Sequence, residues 1–275
     1  MTSERGTNSE QLVGALEAVW SSTAALCRDL TDEEWALPTR CPGWSVQDLI
    51  AHMLGTEAML AGRSQPAVDV PDAPHLRNDI GRFNEAWIIE RRSRRGADVL
   101  DEFVEITSDR LAALGRMDQA QFDEEAWTPA GKATYGRFMQ IRVFDCWMHE
   151  QDARAALDRP GHLTGPAVDV SLDEIAQALG YAVGKRAGAP AGTSVALVVT
   201  GPTRHRFDVV VTDRARLSAT ATLAPTTTVT TDLATFVALV GGRIDPEEPL
   251  DGGIVTVSGD AELGRAVATH LAFVI

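Results

Sequence analysis

Cysteine, lysine and long apolar runs are scarce in this chain of 275 residues. The three cysteines, Cys27, Cys41 and Cys146, are odd in number and share no metal-type spacing, which excludes a disulfide framework. The strongest apolar run, residues 195–200, has the length of a strand and falls far below the roughly 18 residues of a membrane span. The first ten residues are polar and carry no secretory signal. We therefore expect a cytoplasmic, soluble protein with no membrane partner.

The charge balance limits the partners further. Acidic residues outnumber basic ones by 39 to 25, so the formal net charge is −14. A field of this sign repels the phosphate backbone, and we expect no nucleic-acid partner. The apolar fraction of 44% is ordinary for a globular protein and is sufficient for a buried core.

The hydrophobic period changes near residue 190. Residues 10–187 carry long helical patterns, one of which begins after Ser45 as N-cap with Asp48 three residues later. After the linker 188–192 the pattern alternates, with strands predicted at 194–200, 206–212, 216–223, 226–230 and 253–258, and helices at 231–240 and 261–272. The fold class predicted is α+β, with a helical bundle in residues 1–188 and a smaller α+β domain in residues 189–275.

Two of the predicted helices carry a candidate metal site. Asp145 and His149 lie four residues apart on one helix, so both side chains lie on one face, and Asp152 continues that stripe. His52 borders the apolar face of the helix that follows Ser45. Two histidines and one carboxylate with an open position are typical of catalytic zinc, or of a non-haem iron triad. An ordinary helix pair and a satisfied core histidine remain the alternative.

The segment that leads into His52 resembles a known family. Residues 35–52, with the run Cys41-Pro-Gly-Trp44 and the later Asp48-Leu-x-x-His52, resemble the amino-terminal signature of the mycothiol-dependent maleylpyruvate isomerases, a branch of the DinB-like metalloproteins. The run from Asp145 to Asp152 resembles the second half of that family's metal motif, and residues 232–264 are similar to its sterol-carrier-like second domain.

The resemblance implies a four-helix bundle that holds zinc by His52, Asp145 and His149, with mycothiol as the small-molecule thiol. The family's isomerase has Glu where this chain has Asp145, which leaves the identity of the metal open. A thiolate on the metal would attack a small electrophilic substrate, and the sequence does not separate isomerisation from S-transfer.

The remaining site residues have supporting roles in this hypothesis. We predict that Asp152 holds the free ring nitrogen of a ligand histidine, and that Arg243 anchors a substrate carboxylate from the second domain. The alternatives are a hydrolase with a metal-activated water and Asp152 or Glu150 as base, and a non-catalytic small-molecule-binding protein. Cys41, with no base predicted beside it, is interpreted as a packed thiol, and Trp44 as a core residue. The chain is expected to be a monomer or dimer.

Overall fold

The structure, a computed structural model, describes residues 8–274 and divides into two units, the first ending at His162 and the second starting at Leu163. Residues 1–7, on which the prediction of no secretory signal largely rests, lie outside the described residues. Within residues 8–274, no helix combines the length and the apolar character that crossing a bilayer requires.

Four long helices form the bundle of the first unit. These are α1 (Ser9–Cys27), α3 (Val46–Leu60), α5 (Gly96–Leu114) and α7 (Tyr135–Ala156), and each contacts two of the others in a closed ring. The unit also contains α2 (Asp32–Trp35), α4 (Asp79–Arg91), α6 (Gln119–Phe122) and a hairpin of β1 (Glu125–Thr128) with β2 (Gly131–Thr134). The predicted helical bundle is confirmed.

Helix α3 begins where the sequence predicts it to begin. The Ser45 side chain accepts from the Asp48 amide at 3.3 Å, and the Asp48 carboxylate accepts from the Ser45 amide at 3.0 Å. Gly55 permits the close packing of α4, because a side chain there would meet the Trp87 ring at 2.4 Å. Both features fix where α3 presents His52.

The core of the bundle contains polar groups of α7 as well as apolar ones. Met139, Val143 and Trp147 are fully buried. Arg142, His149, Glu150, Asp152 and other polar residues of the same helix are buried too. Burying such groups is costly unless they are paired, so each needs a partner inside the bundle.

The second unit is a five-stranded sheet with helices. Its strands are β3 (Ser194–Thr200), β4 (His205–Val211), β5 (Ala215–Leu217), β6 (Thr227–Asp232) and β7 (Thr256–Gly259), in the order β5-β4-β3-β6-β7. Strands β3 and β6 are parallel, with Leu197 opposite Val229, and the other pairs are antiparallel. The helices are α8 (Pro166–Tyr181), which continues in a π-helical turn (Ala182–Arg186), α9 (Leu233–Val240), α10 (Glu247–Asp251) and α11 (Ala261–Thr269). The α+β class is confirmed.

The structure differs from the predicted boundaries at three places. Helix α8 belongs to the second unit, so the division falls at residue 162 and not at 188. Gly180 of this helix and Gly184 of the π-helical turn allow close packing on Ala215 of β5. The strand predicted at 216–223 ends at Leu217, because the chain turns to bond Asp208, and Leu223 is fully exposed. Residues 131–134, which lie within the region of predicted helical patterns, form β2.

Candidate metal centre

Helices α3 and α7 bring the three predicted ligands together. His52 Nε2 lies 3.2 Å from Asp145 Oδ2, and His149 Nε2 lies 3.6 Å from Asp145 Oδ1. The two imidazole rings are 4.8 Å apart in an edge-on arrangement, and both are buried. The aspartate reaches both rings despite being shorter than the glutamate that the resemblance leads one to expect.

The donor set of this trio fits a divalent cation. One nitrogen from each imidazole and a carboxylate oxygen lie within 4.8 Å of one another. A tetrahedral ion with bonds of about 2.0–2.1 Å places its ligand atoms about 3.3 Å apart, close to the two N···O distances above. That the trio binds a metal remains a prediction, which the geometry supports.

The charges of the trio follow from burial and pairing. Burial lowers the pKa of His52, although Asp145 opposes this effect. Burial alone would raise the pKa of Asp145, but His52 and the guanidinium of Arg142 hold it well below its usual value. Burial would lower the pKa of His149, yet hydrogen bonds to Asp145 and Asp152 raise it well above 6.5. The pKa values of the two imidazoles therefore shift in opposite directions, because in the described part of the chain only His149 has carboxylates on both ring nitrogens.

Asp152 lies on the far side of the His149 ring. Its Oδ2 is 3.2 Å from His149 Nδ1, where the sequence hypothesis places a residue that holds the free ring nitrogen. His52 has no such support, because its Nδ1 is buried without a hydrogen-bond partner among residues 8–274. Within residues 8–274, only His149 of the two histidines therefore has a carboxylate at its Nδ1 atom.

Cys41 and Trp44, predicted as a packed thiol and a core residue, also contact the centre. Cys41 Sγ lies 3.1 Å from Asp152 Oδ2 and 3.9 Å from His149 Nδ1, so the statement that no base stands beside this thiol is wrong. The half-buried Trp44 ring lies 5.2 Å from the His52 ring and 5.8 Å from the His149 ring. The shared Cys41-Pro-Gly-Trp44 run was the one available signal for the contacts with His149 and Asp152, which lie more than 100 residues away on α7.

A buried network of ion pairs connects Asp145 to Glu57 and two arginines. Arg142 donates through Nη1 to Asp145 Oδ2 and through Nε to Glu57 Oε1 at 2.9 Å. Arg110 donates through Nε to Glu57 Oε2 at 3.0 Å and through Nη2 to the Tyr135 hydroxyl at 2.8 Å. Glu57 is completely buried, so its two oxygens and the two guanidinium groups compensate one another.

Glu150 does not take part in the centre. Its carboxylate accepts from Ser22 at 2.6 Å and from Arg154 at 2.8 Å, and it lies 2.6 Å from His162 Nδ1. It is fully buried among these groups, so the suggestion that Glu150 acts as the base of a hydrolase is wrong. Arg243 lies in the second unit and donates to the Gly241 carbonyl at 3.0 Å; its anchoring role stays a prediction.

Comparisons with known proteins follow the same division of the chain. Residues 16–154 match the family model of the mycothiol maleylpyruvate isomerase N-terminal domain, and residues 169–266 match that of the MDMPI C-terminal domain. No curated protein sequence matches the chain significantly.

Solved structures show the same fold. A mycothiol-dependent maleylpyruvate isomerase and a mutant of it are each 17% identical to the chain, with a TM-score of 0.57, and cover 94% of this chain and 96% of theirs. The match to a sterol carrier protein 2-like 2 from Aedes aegypti spans 37% of this chain and 96% of that protein, at 22% identity and a TM-score of 0.30. We base no argument on this match.

Proposed function

Because the chain belongs to the mycothiol-dependent maleylpyruvate isomerase family, we propose that it isomerises a small electrophilic substrate with a thiol activated on a zinc ion held by His52, Asp145 and His149. The observation that carries this proposal is that one nitrogen from each of two imidazoles and one carboxylate oxygen lie within 4.8 Å of one another between α3 and α7. Mycothiol is the thiol that the family uses, and membership makes the chain an enzyme.

A zinc ion at this position would lower the pKa of a thiol at its open coordination position, so that the thiol reacts as a thiolate at neutral pH. Asp152 would accept a hydrogen bond from the Nδ1–H group of His149, which leaves the lone pair of Nε2 for the metal ion. Arg142 compensates the charge of Asp145 and fixes its rotamer. The Trp44 ring covers both imidazoles on one side.

The proposed reaction is a reversible addition. The thiolate sulfur bonds to an alkene carbon conjugated with a carbonyl group, and the alkene electron pair moves to the carbonyl oxygen as an enolate. Rotation about the new single bond precedes expulsion of the thiolate, which restores the double bond in the other geometry. We propose a cis-unsaturated keto acid of the maleylpyruvate type as substrate, with Arg243 as the anchor for a carboxylate.

Cobalt substitution tests the thiol site without knowledge of the substrate. We expect mycothiol, added to the Co²⁺-loaded protein, to produce a sulfur-to-cobalt charge-transfer band that saturates at one thiol per chain. The His149→Ala protein should give no band. A loaded protein whose spectrum ignores mycothiol would contradict the proposal.

Turnover assays separate this activity from hydrolysis. We expect the zinc-loaded protein to isomerise maleylpyruvate in the presence of mycothiol and to be inactive without it. Turnover of equal rate in the absence of thiol would favour a metal-activated water and would overturn the thiol mechanism.

A further inference from the structure

We propose that Cys41 is a positioning residue, whose thiol donates a hydrogen bond to Asp152 and so holds the ring of His149 in its metal-binding orientation. This inference rests on the proposed function, because it assigns the thiol a role toward the metal that the function requires. It also assigns a role to the Cys41-Pro-Gly-Trp44 run, which so far has served only as a family signature.

One carboxylate oxygen connects the thiol to the histidine. Asp152 Oδ2 lies 3.1 Å from Cys41 Sγ and 3.2 Å from His149 Nδ1, and all three side chains are buried. The S···O distance of 3.1 Å is within hydrogen-bond reach for sulfur, and the Cys41 thiol is the donor to Asp152 Oδ2. Both contacts fall on the same oxygen, so they restrict the orientation of the carboxylate, and the carboxylate in turn restricts that of the His149 ring.

The turn that carries Cys41 is fixed by its own hydrogen bonds. The Cys41 amide donates to Thr39 Oγ1 at 3.1 Å, and the Trp44 amide donates to the Cys41 carbonyl at 3.1 Å. The Thr39 amide donates to the Trp44 carbonyl at 3.0 Å. The hydrogen bonds within the turn therefore position the thiol independently of its contacts with α7.

Pro42 and Gly43 complete this turn. Gly43 has a φ of +82°, which favours glycine, and a side chain there would meet the His75 ring at 2.9 Å. The same turn holds Cys41 against Asp152 and the Trp44 ring against His149, so two of its residues fix one metal ligand. The helix that carries His52, the other histidine, begins at Val46, directly after the turn.

The alternative role for Cys41 is that of a metal ligand. Its sulfur, His149 and Asp152 could by themselves hold a cation, since one ligand atom from each lies within 4.8 Å of the others. Such a site would compete with the first for His149. The two roles predict different spectra: a positioning thiol leaves the cobalt protein without a sulfur-to-cobalt band until an external thiol is added.

The test compares zinc affinity in four proteins by competition with a chromophoric chelator. We expect Cys41→Ala to weaken zinc binding by about 10–100-fold, the usual loss when an outer hydrogen-bond partner of a ligand is removed. Cys41→Ser keeps a donor and should restore most of the affinity. Cys27→Ala removes a buried sulfur on α1 that does not touch the trio, and should bind zinc as the unmodified protein does.

The outcomes separate this inference from the proposed function. Equal zinc affinity of the Cys41→Ala and unmodified proteins would overturn the positioning role alone. A charge-transfer band in the thiol-free cobalt protein that Cys41→Ser abolishes would show a ligand, and would overturn it too. Failure of the unmodified protein to bind zinc or cobalt would overturn both. Circular dichroism of each variant confirms that the bundle is folded.

Discussion

Replacement of Glu57 by Gln tests the buried charge network that contacts Asp145 of the candidate metal centre. Glu57 is fully buried, and its two oxygens accept from Arg142 at 2.9 Å and from Arg110 at 3.0 Å. The amide has nearly the same shape but no charge, so both guanidinium groups would remain buried with one carboxylate fewer. Arg142 would keep Asp145, whereas Arg110 would keep the Tyr135 hydroxyl as its hydrogen-bond partner.

The expected loss is large for a single isosteric change. Breaking a buried ion pair by removing one partner costs about 3–5 kcal/mol. For a protein of this size each kcal/mol lowers the melting temperature by about 2–4 °C, so the midpoint should fall by roughly 6–20 °C. The free energy of unfolding is measured by urea denaturation followed by circular dichroism, and the melting temperature by calorimetry.

A matched control removes a carboxylate from an exposed pair. Glu125 and Lys132 lie 3.1 Å apart across the hairpin with both side chains largely exposed. The Glu125→Gln change should therefore cost less than about 1 kcal/mol. A Glu57→Gln protein that loses no more free energy than this control would refute the reasoning that the network stabilises the bundle.

Three further predictions concern the centre itself. Zinc binding at pH 6.5 should release about one proton, because the pKa of His149 is raised above 6.5 and its ring must lose a proton to bind. The affinity for zinc should therefore rise with pH up to that pKa. Calorimetry in buffers of different ionisation enthalpy measures the proton release, and a release of zero would contradict the assignment. Asp152→Asn should weaken zinc binding by about 10–100-fold in a chelator competition, whereas unchanged affinity would show that the carboxylate is dispensable. Arg243→Ala should raise the KM for the keto acid with metal content unchanged, and an equal KM would dispose of the anchoring role.

The sequence is informative about the bundle because helix periodicity and caps are local. The Ser45 cap and the apolar face of α3 lie within a few residues of each other, and they predict the helix that carries His52. The four-residue spacing of Asp145 and His149 likewise places both on one face of α7. A resemblance was needed to join the two helices, since spacing alone left an ordinary helix pair open.

Contacts across the bundle could not be predicted from local patterns. Glu57 and Arg142 are 85 residues apart, and nothing in either helix indicates that these charges are paired in the core. The same holds for Cys41 and Asp152, which are 111 residues apart and meet only because the turn at residues 39–45 has one particular shape. Strand β5 was predicted too long for a related reason: the alternation continues after Leu217, but hydrogen bonds to Asp208 take the chain out of the sheet.

Zinc content after reconstitution and desalting tests the central claim most directly. The trio of His52, Asp145 and His149 predicts one zinc ion per chain by elemental analysis. The His52→Ala and His149→Ala proteins should lose this ion while their circular dichroism retains the helical signal. An unmodified protein without zinc, or either variant with a full complement of it, would contradict the account.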